Sequence, residues 1–348
     1  MNKYNVIAID LAKTVFQVCK TDHLGKIIFN KAVNRNQLKN MLIQEKKSLV
    51  AMESCGSTHY WARFAKAQGH KVKAMSARVV KGFLQGQKTD ANDAIAISIA
   101  ALQPNVKSCR LISVETQSLQ CMDKSRLLLQ KSKRAIANQI RAQLLEFGFA
   151  IAKSDKKLNE AVLMILGDAE NELTGHFRFT LHTMWQCFLE IAGNLDETIK
   201  RCTQATNEDE ACLRLQRLEG VGPIGAMGLR IALSDIEHFK SGREASACLG
   251  ATPVQHSSGG KVNIGSISKT SAHKNLRAVL YQGAFSVVNK VKTREAKTEK
   301  EVWIKALLAR KPLKVVTVAL INKTIRTAYA ILKNKTEYNA TLLSGNIA

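Results

Sequence analysis

Acidic residues are scarce in this chain: 28 Asp and Glu stand against 52 Lys and Arg, which leaves a formal net charge of +24 at pH 7. A field of that sign favours polyanions, above all nucleic acid, and it excludes a preference for basic partners. A basic ribosomal-type protein or a membrane-surface protein would show the same imbalance. Charge alone therefore predicts nucleic acid as the partner and leaves these two alternatives open.

The cysteines lack any metal-binding pattern. There is no CxxC pair and no Cys/His cluster with the spacing of zinc ligands, so the sequence shows no zinc finger. The pattern favours small buried side chains in a reducing cytosol. The cysteines are Cys19, Cys55, Cys109, Cys121, Cys187, Cys202, Cys212 and Cys248.

Long hydrophobic runs are also missing. No uncharged apolar run reaches the length of about 18 residues that a membrane span requires. The first residues lead directly into a strand pattern, without the apolar segment of a signal peptide. We therefore expect no membrane association and a cytoplasmic location. A chain of 348 residues is long enough for two or more domains.

Residues 1–112 alternate between strand and helix patterns. Three short strands are predicted first, followed by an amphipathic helix, a fourth strand, a helix, a short fifth strand and further helices. This order is that of the ribonuclease H-like fold, also called RuvC-like, in which the first and fourth strands are neighbours. We therefore predict an α/β domain of this type over residues 1–112.

Four acidic residues occupy special positions in this predicted domain. Asp10 ends the apolar run YNVIAID, and Glu53 ends the apolar run within SLVAMES. Asp90 and Asp93 open the helical segment DANDAIAISIAAL. A carboxylate that closes an apolar strand is costly unless it is paired, hydrogen-bonded or metal-bound. Together the four predict a site for Mg²⁺ or Mn²⁺. Asp90 and Asp93 alone are equally consistent with helix caps. Lys88 is either a phosphate contact or a solvated charge.

Residues 113–207 are predicted to be a helical insert. A basic helical pattern without Pro or Gly begins at residue 113 and continues to Gly148, and a second helix is predicted over residues 181–205. Residues 150–180 show no clear pattern. Two long helices around a variable connection predict an antiparallel coiled-coil hairpin, which we expect to assemble the chain into a dimer or tetramer.

Residues 208–348 are predicted to form a mainly helical domain. Its segment LEGVGPIGA, residues 218–226, fits the helix-hairpin-helix pattern, because Gly220 and Gly222 permit a tight turn and Pro223 suits the first helical position. Free amides at the start of the following helix can hold a DNA phosphate without reading sequence. An ordinary helix–turn–helix corner is the alternative.

A second motif places paired serines in a basic loop. Ser257 and Ser258 precede Gly259 and Gly260, a composition that favours an ordinary turn. The functional alternative is a serine nucleophile, which needs a base or a metal because serine is weak at its free pKa. His256 is adjacent, but a metal held by the carboxylates is the better activator if the two domains meet. The nearby cations, predicted to contact nucleic acid, are Lys261, Lys269, Lys274 and Arg277.

These segments together resemble insertion-sequence 110 family transposases, and the HYWAR context is similar to the 1111 subgroup. The matching stretches are AIDLAKTVFQV, AMESCGSTHYWARFAKAQGH, VKGFLQGQKTDANDA, LEGVGPIGA and LGATPVQHSSGGKVNIGSISKTSAHKNLRAVL. The resemblance runs from about residue 5 to residue 285 and is weakest over residues 150–205.

The resemblance implies a RuvC-like domain with a D-E-D-D tetrad, which carries over to the four carboxylates named above. It also implies a C-terminal transposase domain with an essential serine, which carries over to Ser258, with Ser257 as the competing choice. It further implies Mg²⁺, a covalent phosphoserine–DNA intermediate, and a guide (bridge) RNA that pairs with donor and target DNA. A RuvC-type junction endonuclease that uses metal-activated water and a non-enzymatic nucleic-acid-binding scaffold are the alternatives.

Overall fold

A computed structural model describes residues 4–268 and 271–340. The chain forms two compact units, Met1–Val114 and Glu115–Ala348. The end of the first unit lies two residues beyond the predicted end of the α/β domain. The predicted boundary between residues 207 and 208 lies inside the second unit, so the further division of that unit stays a prediction.

The first unit is an α/β fold around a five-stranded sheet of order β3-β2-β1-β4-β5. Its strands are β1 (Val6–Asp10), β2 (Val15–Thr21), β3 (Ile27–Asn34), β4 (Leu49–Glu53) and β5 (Lys71–Met75). Its helices are α1 (Arg35–Gln44), α2 (Thr58–Ala67), α3 (Ala77–Val80) and α4 (Asp90–Leu102). The predicted order of strands and helices is confirmed. β1 pairs antiparallel with β2 and parallel with β4, so the first and fourth strands are neighbours.

The apolar sequence of β1 is explained by cover on both faces of the sheet. Ile7 and Ile9 belong to a core that also contains residues of α1 and α2, whereas Val6 and Ala8 belong to a core shared with α4. A strand covered on both faces is apolar at every position rather than at alternate ones. Asp10, at the end of β1, is therefore the first residue of the strand that is not fully buried in these two cores.

The second unit begins with three helices: α5 (Val114–Glu146), α6 (Asp155–Gly167) and α7 (Gly175–Glu208). Both predicted long helices are present, but α7 begins six residues earlier than predicted, after its cap Thr174. The region without a clear pattern contains α6. α5 and α7 lie antiparallel, since Leu144 shares a core with Leu181 and the Lys133 ammonium lies 5.7 Å from the Phe188 ring centroid.

The rest of the second unit is mainly helical, as predicted, with one hairpin of strands. Its elements are α8 (Glu210–Gln216), α9 (Pro223–Ala232), α10 (Gly242–Cys248), β6 (Pro253–Ser258), β7 (Lys261–Ile267), α11 (Lys274–Lys292), α12 (Glu299–Leu308) and α13 (Leu313–Asn334). The largest contribution to its core comes from α13, whose buried residues include Val316, Leu320 and Ile325.

Among the described residues, α13 is the one helix long and apolar enough to cross a membrane, and 56% of its most apolar window is buried inside the fold. Its apolar face packs against α8 to α12 in the core of the second unit. The core helix of a folded domain has this character, so the expectation of no membrane association is retained.

All eight cysteines are free thiols. Cys19, Cys202 and Cys212 are buried as expected, whereas half of the set is exposed, so the expectation of burial is wrong for those residues. The exposed cysteines are Cys55, Cys121, Cys187 and Cys248. The first lies in the turn after β4, and the others lie on the outer faces of helices, where no core fixes the residue type.

Candidate functional site

Asp10 and Glu53 lie at the same edge of the central sheet. Each is the last residue of its strand, and the parallel register pairs Ile9 with Met52 immediately before them. Neighbouring strands are about 4.8 Å apart, so the two carboxylates leave the sheet side by side. Both residues are half-buried, and neither carboxylate accepts a hydrogen bond within residues 4–268 and 271–340. The sheet therefore places two unpartnered carboxylates together.

Asp90 and Asp93 lie in the first turn of α4, but neither is the cap of that helix. Thr89 is the N-cap, and its hydroxyl accepts a hydrogen bond from the Asn92 amide at 3.3 Å. The capping alternative for the two aspartates is therefore not needed to explain the start of the helix. Their carboxylates face the positive end of the helix dipole and stay available to a ligand.

The four carboxylates, here called the acidic site, share one electrostatic environment. Burial raises the pKa of Asp10, the charges of Asp93 and Asp90 raise it further, and Lys88 opposes the shift. Burial also raises the pKa of Glu53, with Asp10 and Asp93 adding to it. Burial is thus the larger cause of both pKa shifts, and repulsion between like charges adds to it. A cation placed among the carboxylates would relieve that repulsion.

The acidic site supplies the hard oxygen donors that a divalent cation prefers. In the part of the chain that the structure describes, no three His, Cys, Asp or Glu side chains form a ready-made metal cage. Mg²⁺ ordinarily retains several waters instead of taking an all-protein cage, so its binding does not require one. The donor chemistry and the uncompensated charge therefore fit a divalent cation.

Side chains that the motif analysis did not single out position the acidic site. The Thr58 hydroxyl donates to the Glu53 carbonyl at 3.0 Å and accepts from the Cys55 amide at 2.7 Å, which fixes the turn after β4. The Asn30 amide on β3 donates to the Ala91 carbonyl at 3.0 Å, which ties the first turn of α4 to the sheet. A helix-start signal in the sequence could have identified Thr58, but only tertiary contact shows the role of Asn30.

Ser258 lies near the tip of a two-stranded hairpin, residues 253–267, here called the serine hairpin. Gly259 and Gly260 form its turn with φ angles of 55° and 76°, and Ser258 pairs with Lys261 across it. Two consecutive residues with positive φ are typical of a tight hairpin turn, which favours glycine at both positions. The expectation of a turn is confirmed, and almost every residue of the hairpin is exposed.

The two serines point to opposite faces of the serine hairpin, because successive strand residues alternate. Ser258 shares its face with Lys261 and with the pair His256 and Asn263. Ser257 shares the other face with Val262 and accepts a hydrogen bond from the Gln255 amide at 3.1 Å. Within the described residues Ser258 makes no side-chain hydrogen bond, to His256 or to any other group. Ser258 is thus the less engaged of the two hydroxyls.

The predicted nucleic-acid-binding cations differ in their surroundings. Lys88, Lys261 and Lys274 are exposed, whereas Lys269 lies outside the described residues. Arg277 donates to the Gly250 carbonyl at 2.6 Å and to the Ser268 carbonyl at 2.7 Å, so its guanidinium holds the foot of the serine hairpin. A role of these residues in binding nucleic acid stays a prediction.

The segment 218–226 forms the predicted turn between α8 and α9. Gly220 has φ 77°, and a Cβ there would lie 2.7 Å from the backbone of Gly283 on α11. Gly222 is the N-cap of α9 without a side-chain hydrogen bond, and a Cβ there would meet nothing within 4 Å. Gly220 is therefore required by the fold, whereas Gly222 is exposed at the start of α9.

Comparison with known proteins gives matches over both units. A family model described as Transposase, for DEDD transposases of the IS110 type, matches residues 7–149, and one described as Transposase IS116/IS110/IS902 family matches residues 212–300. The chain is 34% identical to the transposase for insertion sequence element IS1111A of Coxiella burnetii over 97% of this chain and 92% of the relative. The chain belongs to the IS110 family of transposases.

Two further relatives of this transposase are similar along nearly their whole length. It is 34% identical to a probable family 20 transposase of Pseudomonas aeruginosa over 95% of this chain and 98% of the relative. It is 29% identical to the transposase for insertion sequence element IS1328 of Yersinia enterocolitica over 97% of this chain and all of the relative. Membership of this family implies DNA binding and dependence on a divalent metal.

Proposed function

We propose that this transposase cuts and rejoins DNA with a metal ion held by the acidic site and with Ser258 as the nucleophile, guided by a bridge RNA. The observation that carries the proposal is the pair of carboxylates of Asp10 and Glu53 at one edge of the sheet, both of which are influenced by the charge of Asp93 on α4. The order of strands and helices in the first unit supports a ribonuclease H-like (RuvC-like) assignment.

In the proposed chemistry, Asp10, Glu53, Asp90 and Asp93 would hold Mg²⁺ or Mn²⁺. When bound, the cation would offset phosphate charge and favour an ionised oxygen nucleophile. The Ser258 Oγ attacks phosphorus, and the new O–P bond replaces the bond to the leaving sugar oxygen. The serine loses its proton, and the leaving oxygen gains one. Lys88 and Lys261 would stabilise negative charge on the phosphoryl oxygens.

The proposed division of labour follows the three predicted regions. Residues 1–112 supply the carboxylates, residues 113–207 assemble the chain into a dimer or tetramer, and residues 208–348 supply the serine. The turn at Gly220 and Gly222 would hold DNA phosphates on the first amides of α9. A serine and carboxylates from different regions meet by folding within one chain or by assembly with a partner subunit.

The test is a search for a covalent protein–DNA adduct. The full-length transposase is incubated with DNA that carries its element's ends, with RNA transcribed from the element's noncoding end, and with Mg²⁺, and is then denatured. We expect an adduct with the native chain, none with Ser258→Ala, and a reduced amount with Ser257→Ala. Omission of the RNA or chelation of the metal should also abolish the adduct.

Three outcomes would overturn the proposal. An adduct that persists in Ser258→Ala but disappears in Ser257→Ala moves the nucleophile by one residue. Metal-dependent cleavage with no adduct in the native chain favours the junction endonuclease, in which water is the nucleophile. DNA binding without any cleavage, under conditions in which Asp10→Asn changes nothing, favours the non-enzymatic scaffold.

A further inference from the structure

A cavity of about 700 Å³ lies at the foot of the serine hairpin. One wall is a face of α13 that presents Val315, Val318 and Ala319 at helical spacing. The other wall contains Pro253 and Ile267, which pair where the hairpin joins the helical core. The volume lies in the range of small-molecule binding sites, and Val315 is 51% exposed although its surroundings are apolar. The cavity is thus open, apolar and uncovered.

An aromatic side chain lines the same cavity. Trp303 projects from α12 into it, and the Lys323 ammonium lies 4.6 Å from the indole ring centroid. The other two tryptophans, Trp61 and Trp185, are 0% and 2% exposed. Trp303 packs against the core of the second unit but is only partly buried, so it is the one of the three indoles that a ligand from solution can reach.

Three cations border the apolar part of the cavity: Lys314, Lys323 and Arg326. Within residues 4–268 and 271–340, none of them forms an ion pair with a carboxylate. Burial lowers the pKa of Lys323, and repulsion from Lys300 and Arg326 lowers it further, with Glu219 opposing. Cations crowded together at an apolar wall are stabilised by an anion that binds among them.

We propose that this cavity binds a single unstacked DNA nucleotide, with its base against Trp303 and Val315 and its phosphate at Lys314, Lys323 and Arg326. Aromatic and apolar surface beside unpaired cations is the combination that holds bases and phosphates of single strands. DNA is favoured over other anions because the chain belongs to a transposase family. The inference rests on the proposed function, since it places the site on the domain that carries Ser258.

The position of the cavity gives the inference a spatial consequence. Strands rise by about 3.3 Å per residue, so Pro253 at the foot of the hairpin is about 17 Å from Ser258 near the tip. That separation equals about five base steps of B-form DNA. For DNA that runs along the hairpin, the cavity would take a nucleotide about five steps from the phosphate that Ser258 would attack. Extrusion of a base at that position would anchor the DNA in register.

The test uses the full-length transposase and two probes, a 20-base-pair duplex with one extrahelical 2-aminopurine nucleotide and the fully paired duplex of the same sequence. Ala319→Leu fills the cavity from α13 without changing charge, and Ala330→Leu adds the same side chain on an exposed face of that helix. We expect Ala319→Leu to weaken binding of the extrahelical probe about 10-fold, the typical effect of losing one base–aromatic stack. Neither variant should change binding of the paired probe more than twofold.

Two further pairs of variants keep the test independent of any defect in folding. Trp303→Leu should abolish the quenching of 2-aminopurine fluorescence, whereas Trp303→Phe should retain it. Lys323→Gln should weaken binding of the extrahelical probe more than binding of the paired probe. Lys292→Gln removes an equal charge from an exposed position on α11 and should weaken both probes alike.

The inference would be overturned if Ala319→Leu or Lys323→Gln weakened binding of the two probes equally, or if neither Ala319→Leu nor Trp303→Leu weakened binding of the extrahelical probe. An effect confined to single-stranded RNA of the same sequence would also overturn it, because the proposed occupant is DNA. These readouts need no cleavage. If no covalent adduct forms while the fluorescence of 2-aminopurine is still quenched, the proposed function fails and the nucleotide site survives. If the adduct forms but the fluorescence is not quenched, only the nucleotide site is rejected.

Discussion

The acidic site and the serine hairpin are built in opposite ways. Asp10 follows four residues of β1 that are 0% exposed, so its carboxylate is attached to the most buried element of the first unit. Ser258 follows five residues of an exposed strand, and Ile264 of the same hairpin is 72% exposed. The carboxylates thus have a rigid support, whereas the hydroxyl stands out from the fold.

The proposed function gives this difference a reason. Carboxylates that would share a cation repel one another, and a scaffold with two cores holds their positions. Ser258, as the proposed nucleophile, would have to reach a phosphate in a DNA backbone from the surface. We therefore expect the acidic site to lose activity when the charge or position of a carboxylate changes. We expect the second unit to lose stability when the helical core beneath the serine hairpin is disturbed.

The largest effect is expected from Asp10→Asn. This change keeps the shape of the side chain but removes one of the charges that would hold the metal, so cutting and rejoining of DNA should fall by about 10³-fold or more. Affinity for DNA in a filter-binding assay should stay within twofold. Asp22→Asn, an exposed carboxylate in the β2–β3 turn, is the matched control and should retain activity. Activity of Asp10→Asn within tenfold of the native chain would contradict a metal role for this residue.

A large loss of stability is expected from Gly283→Ala. A Cβ at Gly283 would lie 1.8 Å from the Gly220 carbonyl oxygen, so α11 must move away from the turn between α8 and α9. Overpacking of this kind should lower the free energy of unfolding by about 3 kcal/mol. Urea denaturation followed by circular dichroism measures it.

Gly193→Ala provides the control for Gly283→Ala. Gly193 also lies inside a long helix of the second unit, but a Cβ there would meet nothing within 4 Å. Alanine should therefore stabilise the helix slightly, by about 0.5–1 kcal/mol. If both variants unfold at the same urea concentration, the close approach of Gly220 and Gly283 does not limit the fold.

A smaller loss is expected from Lys300→Met. The Lys300 side chain is 1% exposed and donates to Glu219 at 2.6 Å, and the Tyr338 hydroxyl donates to the same carboxylate at 2.7 Å. Without the lysine, Glu219 stays partly buried without its cation, which should cost about 2 kcal/mol at pH 7. Thermal denaturation at constant ionic strength measures the loss, and Lys292→Gln should not reproduce it.

The same network predicts a pH dependence. Burial alone would raise the pKa of Glu219, but the Lys300 charge and the hydrogen bonds from Lys300 and Tyr338 outweigh it and hold the pKa below the ordinary value of 4.5. Its contribution to stability is thus complete above the ordinary value and is lost as the pH falls through the lower pKa of the folded state. Lys300→Met should reduce the slope of stability with pH in that range; an unchanged slope would show that other carboxylates cause it.

The smallest and most selective effect is expected from Thr89→Ala. It removes the side-chain cap of α4, just as Thr298→Ala removes that of α12 in the second unit, where Thr298 accepts from Glu301 at 3.3 Å. Each should cost about 1 kcal/mol of stability. Only Thr89→Ala should lower metal-dependent cleavage, because α4 carries Asp90 and Asp93. Equal activities of the two variants would indicate that the start of α4 does not position the acidic site.

More of the fold could be predicted from the sequence for the first unit than for the second. The double-sided apolar pattern of β1 and β4 and the turn at Gly259 and Gly260 are local signals. The region of α6 showed no pattern, because its apolar residues pack into a core shared by three helices whose spacing no single segment records. Asn30 and the Glu219 network were missed because their partners are distant in sequence, and Lys269 lies outside the described residues.

The sequence by itself determined the order of elements, the four acidic positions and the paired serines, because apolar periodicity, glycine and charge act over a few neighbouring residues. The structure identified Thr89, not an aspartate, as the cap of α4 and placed Ser257 and Ser258 on opposite faces of the hairpin, and both of these are local features. It also decided that Arg277 binds backbone carbonyls and that Trp303 lines an open cavity. The contacts of Arg277 and Trp303 join segments that are distant in sequence, so no local pattern could predict them.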